Sequence, residues 1–141
     1  MDYSIHNRQS SEKPVRTTVG VSEVDVLEID IYRDYAGTYY NRGNTRFELG
    51  DRQVAVEDYN KALILDPCFA EAYVNRGNVR SELGDNWEAI EDYNKALSLN
   101  RQDKVAYYNR ASTYLKLDRK QEASKDLKNT ILILIDSHAS S

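Results

Sequence analysis

The sequence predicts an all-α chain folded as a short α-solenoid of three tandem helix-turn-helix units. Three observations predict it. Ala36–Phe69 aligns without gaps on Ala70–Asp103 at a spacing of 34 residues, with about 20 of the pairs identical, and self-similarity at such a period marks a repeat architecture. Within each copy, apolar and small residues recur every third or fourth position, the spacing of one helix face. Gly-Asp and Asp-Pro pairs interrupt the pattern where helices must stop.

Residues 1–21 are polar, lack an apolar period and predict a flexible tail. Residues 22–35 form a lead-in segment. Val24, Leu27 and Ile31 fit one helix face, while Val24-Asp25-Val26 and Leu27-Glu28-Ile29-Asp30-Ile31 also alternate as a strand would; the helix is the favoured reading.

The first repeat covers 36–69. Tyr39, Gly43 and Phe47 lie along one side of a first helix, and Gly50-Asp51 ends it, glycine suiting a helix C-terminus and aspartate the next N-cap. Ala55, Val56, Tyr59, Ala62, Leu63 and Leu65 make the stripe of a second helix that stops at Asp66-Pro67. The second repeat, 70–103, has Arg101 in place of the proline and Asn100 as terminator. The third, 104–135, is more divergent but keeps Tyr107-Tyr108-Asn109-Arg110-Ala111, Leu117-Asp118 and Asp126-Leu127. Residues 136–141 are read as a C-terminal tail.

Gly43, Gly77 and Ala111 fall at one equivalent place. A glycine inside a helix costs roughly 1 kcal/mol against alanine, so its recurrence predicts close approach of the paired helix, with Tyr59, Tyr93 and Leu127 beside it.

The 141 residues suit one domain of ordinary size. A formal charge of -4 and a pI of about 5.2 argue against a non-specific nucleic-acid binder. No run of about 18 apolar residues exists, so no membrane insertion is expected, and the N-terminus shows no apolar secretory core. The single cysteine, Cys68, permits neither an internal disulfide nor a Cys-based zinc site. These features predict a cytoplasmic chain.

Catalytic chemistry is not visible. His6 and His138 lie in the two tails, no His-Cys or His-Ser arrangement shares a repeat face, and no phosphate-cradling glycine loop occurs. Glu57-Asp58 and Glu91-Asp92 repeat at equivalent places and read as structural or solvated pairs. The chain is predicted to be no enzyme, with no catalytic residue, metal or cofactor.

Two ladders stand out. Arg42, Arg76 and Arg110, with Arg46 and Arg80 one turn on, match the period of Asp58, Asp92 and Asp126. Equal periods predict mutual satisfaction, since an isolated buried charge is costly; the other reading is a basic strip for an acidic peptide. Asn41, Asn75 and Asn109, with Asn44 and Asn78, put a poor helix former inside first helices. An amide donates and accepts at once, which suits an extended peptide backbone or a bond between neighbouring repeats.

In its spacing, glycines, alanines, aromatics and Asp66-Pro67, the stretch 36–135 resembles the tetratricopeptide repeat family, with a bacterial-like wording of the repeats. The resemblance implies a right-handed superhelical arc whose first helices line a concave groove that grips a peptide of a partner protein. The groove it implies comprises Tyr40, Asn41, Asn44, Phe47, Val74, Asn75, Asn78, Ser81, Tyr108, Asn109, Ser112 and Leu115. Chaperone-docking members hold a C-terminal carboxylate with basic residues at set places. Here those places carry Tyr40, Val105 and Asn109, so that clamp is incomplete.

Ile131, Leu132, Ile133, Leu134 and Ile135 cover more than one face of the last helix. A terminal repeat needs a polar outer face, and 136–141 is too short for a capping helix. Two readings stay open: packing on the third unit with 22–35 helping to cover it, or a self-association surface for a homo-oligomer.

Overall fold

The structure, a computed structural model, describes residues 22–139. Six helices follow one another: α1 Glu23–Glu48, α2 Arg52–Leu65, α3 Ala70–Glu82, α4 Asn86–Leu99, α5 Lys104–Lys116 and α6 Lys120–Ala139. They pair as the hairpins α1–α2, α3–α4 and α5–α6, and α2 packs on α3 as α4 packs on α5. The predicted tail at 1–21, with His6, lies outside the described residues.

The lead-in segment is helical and continuous with the first helix of the first repeat. Ser22 caps it, its Oγ accepting from the Asp25 amide. Between Ser22 and Gly37 no glycine or proline interrupts the sequence, and Gly37 has open space around it. α1 and α6 make no contact among the described residues, which corrects the expectation that 22–35 helps to cover the last helix. Each hairpin packs only on its neighbours, so the first and last helices stand at opposite ends of the stack.

The last helix also runs further than expected. It continues through Asp136, Ser137, His138 and Ala139 rather than ending at Ile135. None of these residues is a helix breaker, and Ser137 Oγ turns back to donate to the Leu134 carbonyl.

The turns explain why three hairpins share one shape. Gly50 and Gly84 take φ of +89° and +87°, and the amides of Asp51 and Asp85 reach back to the carbonyls of Arg46 and Arg80, the closing geometry of a left-handed helix end. Asp118 takes the same place in the third repeat with φ +57°. Asp51 and Asp85 occupy the N-cap positions but form no capping bond through their side chains, so that part of the sequence expectation is corrected: the turn is set by glycine. Between repeats, Asp66 Oδ1 and Asn100 Oδ1 accept from the Cys68 and Gln102 amides, both at 3.1 Å. Asn100 thus replaces the Asp-Pro stop.

The core lies along the hairpin seams. Tyr59 packs with Ala55, Val56 and Val79, and Tyr93 with Val74, Ala89, Ala96, Leu97 and Ala106. A Cβ on Gly43 would meet Tyr59 Cε1 at 2.7 Å, and one on Gly77 would meet Tyr93 Cε1 at 2.8 Å. In the third repeat the equivalent places carry Ala111 and the smaller Leu127, and the two helices keep the same hairpin.

Candidate functional site

The first helices of successive repeats touch, α1 on α3 and α3 on α5, whereas α2, α4 and α6 make no contact with one another among the described residues. The stack therefore curves with α1, α3 and α5 on its inner side. That wall carries the twelve residues that the resemblance implies.

Four of the asparagines are joined across repeats. Tyr59 Oη donates to Asn44 Oδ1, and Asn75 Nδ2 donates to the same oxygen at 2.9 Å and to Tyr40 Oη at 3.0 Å. One repeat on, Tyr93 Oη donates to Asn78 Oδ1 at 2.6 Å, and Asn109 Nδ2 donates to it at 2.9 Å. Burial pushes both tyrosine hydroxyls far above the ordinary tyrosine value, so they remain donors. The amide nitrogens of Asn44 and Asn78 and the amide oxygens of Asn75 and Asn109 keep no hydrogen-bond partner among the described residues. Each asparagine is held by one half of its amide and offers the other.

The remaining positions divide by exposure. Asn41, Tyr108, Ser112 and Leu115 are exposed on the wall, Tyr108 by 57%. Tyr40 is half-buried, its ring centroid 4.7 Å from that of Phe69. Val74 is buried in the core around Tyr93 and reaches only a cleft edge. Phe47 is half-buried against the core around Tyr59. Ser81 is buried, its hydroxyl 3.2 Å from that of Thr113.

Two clefts open on this wall. A cleft of about 560 Å³ is lined by Tyr40, Val74, Asn75, Lys104 and Val105, with Ile133 and Ser137 of α6 at its edge. Another, of about 270 Å³, is lined by Phe47, Asn78, Asn109, Ser112 and Lys116. Lys116 was not among the expected groove residues. Its Nζ donates to Ser81 Oγ at 2.9 Å. The signal that reveals it is a break in the column Glu48, Glu82, Lys116, where the third repeat replaces a carboxylate by a cation.

The arginines of the first ladder serve the scaffold. Arg42 and Arg46 both reach Asp58, at 2.7 and 2.9 Å; Arg76 and Arg80 both reach Asp92, at 2.6 and 2.9 Å; Arg110 reaches Asp126 at 2.6 Å. The three carboxylates are 1, 3 and 2% exposed. Burial alone would push the Asp58 carboxyl up, but the hydrogen bonds and charges of Arg42 and Arg46 outweigh it and hold it below the usual range. Arg76 and Arg110 also donate backwards, to Asn60 Oδ1 at 2.8 Å and Asn94 Oδ1 at 2.7 Å in the preceding repeat.

At the far end, Ile131, Leu132, Leu134 and Ile135 are exposed, and Ile133 is half-buried toward the larger cleft. Among the described residues no helix is long and apolar enough to cross a membrane, and no three His, Cys, Asp or Glu side chains gather into a metal-sized group.

Family models of the tetratricopeptide repeat match residues 43–84, 70–103 and 105–130, together more than half of the chain. The chain belongs to the tetratricopeptide repeat family. Among solved structures it is similar to MamA, with a TM-score of 0.72 and 27% identity over 74% of this chain and 61% of that one; it therefore spans less than two thirds of the MamA chain. It is also similar to the first tetratricopeptide domain of Spaghetti (RPAP3) bound to the HSP90 peptide SRMEEVD, with a TM-score of 0.70 and 28% identity over 72% of this chain and 80% of that one. The Arabidopsis OM64 tetratricopeptide domain shares the fold, with a TM-score of 0.71 and 24% identity over 72% of this chain and 84% of that one. No curated protein sequence matches the chain. The chain is a protein-interaction module on an all-α tetratricopeptide solenoid.

Proposed function

We propose that this tetratricopeptide solenoid is a non-enzymatic adaptor that binds an extended peptide segment of a partner protein along its inner wall. The observation that carries the reading is the set of half-used asparagines. Their Oδ1 or Nδ2 is locked across repeats, and the opposite amide group is left to a ligand. Fixed donors and acceptors lose little freedom on binding, which favours affinity. Exposed Tyr108 and Leu115 supply apolar contact beside them, where binding energy concentrates. The peptide held by the Spaghetti domain supports the use of such a wall for peptides. The places that would complete a carboxylate clamp hold Tyr40, Val105 and Asn109 here, which favours a segment read through its backbone and apolar side chains over an acidic C-terminal tail. No catalytic step is assigned to the chain, and its place of action is proposed to be the cytoplasm.

The test uses side chains that the scaffold does not need. Asn41, Tyr108 and Leu115 are exposed, so changing all three to alanine should leave the fold intact. Captured from native lysate, the unaltered chain should retain a defined set of proteins that this variant loses. Retention of the same set would refute the groove assignment.

A second reading, self-association through α6, rests on one comparison. Leu63 and Leu97 are each 7% exposed, while Ile131, at the equivalent place, is 55% exposed. The following first helix covers the two leucines, and no helix covers the isoleucine among the described residues.

A further inference from the structure

The open face of α6 has a defined shape. Leu127, Ile131, Leu134 and Ile135 follow at helical spacing and are all exposed. This is the side on which α2 receives α3 and α4 receives α5. Its chemistry has changed, however. In the first two repeats, Asn60 and Asn94 accept a hydrogen bond from the arginine of the incoming helix. The third repeat has Lys128 at that place. An ammonium offers no acceptor and repels a guanidinium. Lys125 is also exposed on α6, as is Asp136 near its end, while Lys120 lies 4.0 Å from Asp118, Asp126 is buried against Arg110 and Glu122 faces Arg119. The face therefore selects an apolar helix that carries carboxylates in place of the usual arginine.

At the other end of the chain, residues 26–33 of α1 are exposed as well. The first eleven residues of α1, 23–33, project past the end of α2 by about 16 Å at 1.5 Å per residue. Val26, Ile29 and Tyr32 continue the side that, lower down, presents Ala36 and Gly43 to α2, and all three are exposed; so are Leu27 and Ile31. Within 23–35 the charged residues are Glu23, Asp25, Glu28, Asp30 and Asp34 against Arg33 alone. This segment is apolar and acidic, the complement of the α6 face.

We propose that the open face of α6 is occupied by the acidic, projecting part of α1 from a second copy of the chain, so that copies join head to tail. The proposal rests on the self-association reading above and names the surface that answers α6. A contact between unlike surfaces propagates unless the rotation closes, so assembly should pass beyond the dimer as concentration rises. The charge contrast adds attraction that salt screens.

The test mixes two variants of the 141-residue chain. In a head variant, Ile29→Glu and Tyr32→Glu disable the α1 projection. In a tail variant, Ile131→Glu and Ile135→Glu disable the α6 face. All four positions are exposed, and unchanged helical circular dichroism confirms the fold. Sedimentation should show the unaltered chain growing in mass with concentration, each variant alone as a monomer, and the equimolar mixture as a one-to-one dimer. If the head variant alone still dimerises while the tail variant does not, α6 pairs with itself: self-association stands and the head-to-tail contact is overturned. A strictly monomeric unaltered chain at high concentration overturns both. Should the tail variant unfold, Lys128→Glu replaces it, with a severalfold weakening of assembly expected and an unchanged assembly counting against the proposal.

Discussion

Tyr93 lies so close over Gly77 that a Cβ built there would stand 2.8 Å from its Cε1. Alanine is the better helix former by roughly 1 kcal/mol, yet Gly77→Ala should destabilise the chain by roughly 1–3 kcal/mol, the usual range for overpacking. The third repeat supplies the control, pairing Ala111 with Leu127. Combining Gly77→Ala with Tyr93→Leu should therefore cost less than the sum of the two single changes, since they share one contact. Urea denaturation of the four chains measures the cycle.

Asp58 gives the acid response a sign. Its carboxyl is held below the ordinary range by Arg42 and Arg46, against the upward push of burial. A depressed folded-state value adds stability that is present above the unfolded value, about 3.9, and is lost as pH falls through the folded one. Asp58→Asn should lower stability near neutral pH by roughly 1–3 kcal/mol, as expected for lost charged hydrogen bonds, and should flatten the decline below about pH 4. Melting curves across that range report both effects.

Asp118 adopts the left-handed conformation that Gly50 and Gly84 hold in the other repeats. Aspartate tolerates this region better than most residues but still bears a side-chain cost there. Asp118→Gly should raise stability by about 0.5 kcal/mol after glycine's greater backbone entropy is subtracted. Gly84→Ala should lower it by about 1 kcal/mol or more, because the same φ now carries a Cβ. Thermal unfolding followed by circular dichroism distinguishes the two directions.

Asn75 and Tyr108 separate scaffold from ligand. Asn75 donates to Asn44 and Tyr40 across the repeat boundary, so Asn75→Ala should lose roughly 1–3 kcal/mol of stability by leaving partly buried polar groups unpaired, and should also weaken partner capture. Tyr108 is exposed, and its alanine variant should weaken capture with stability unchanged within about 0.5 kcal/mol. Parallel melts and capture assays on the two variants test the contrast.

The helices and their pairing were legible because the strongest signals repeat at one period: glycine opposite tyrosine, arginine opposite aspartate, and the Leu-Gly-Asp turn. Residues 23–35 were less legible, since a short segment of mixed apolar and acidic residues fits a helix face and an alternating strand alike. The end of α6 was missed because four residues with no breaker carry no boundary signal. The asparagine wall was half legible. A ladder repeating every 34 residues shows equivalence, but the bonds run from Asn44 to Asn75 and from Asn78 to Asn109, cutting across the repeat register. Only the curvature of the stack decides that these amides meet. Lys116 and Lys128 escaped for a related reason: each is a departure from its column, and periodicity draws the eye to what is kept.

The backward reach of Arg76 to Asn60 and of Arg110 to Asn94 gives the molecule a direction of growth. Arg42 holds Asp58 through Nε and Nη2, and its Nη1 has no hydrogen-bond partner among the described residues, so a unit duplicated ahead of Ala36 with the same asparagine would find a donor ready. A unit appended behind α6 would meet Lys128 instead and would require that residue to change first. Gene duplication could lengthen this chain from its front by copying alone, while extension from its rear needs a compensating substitution.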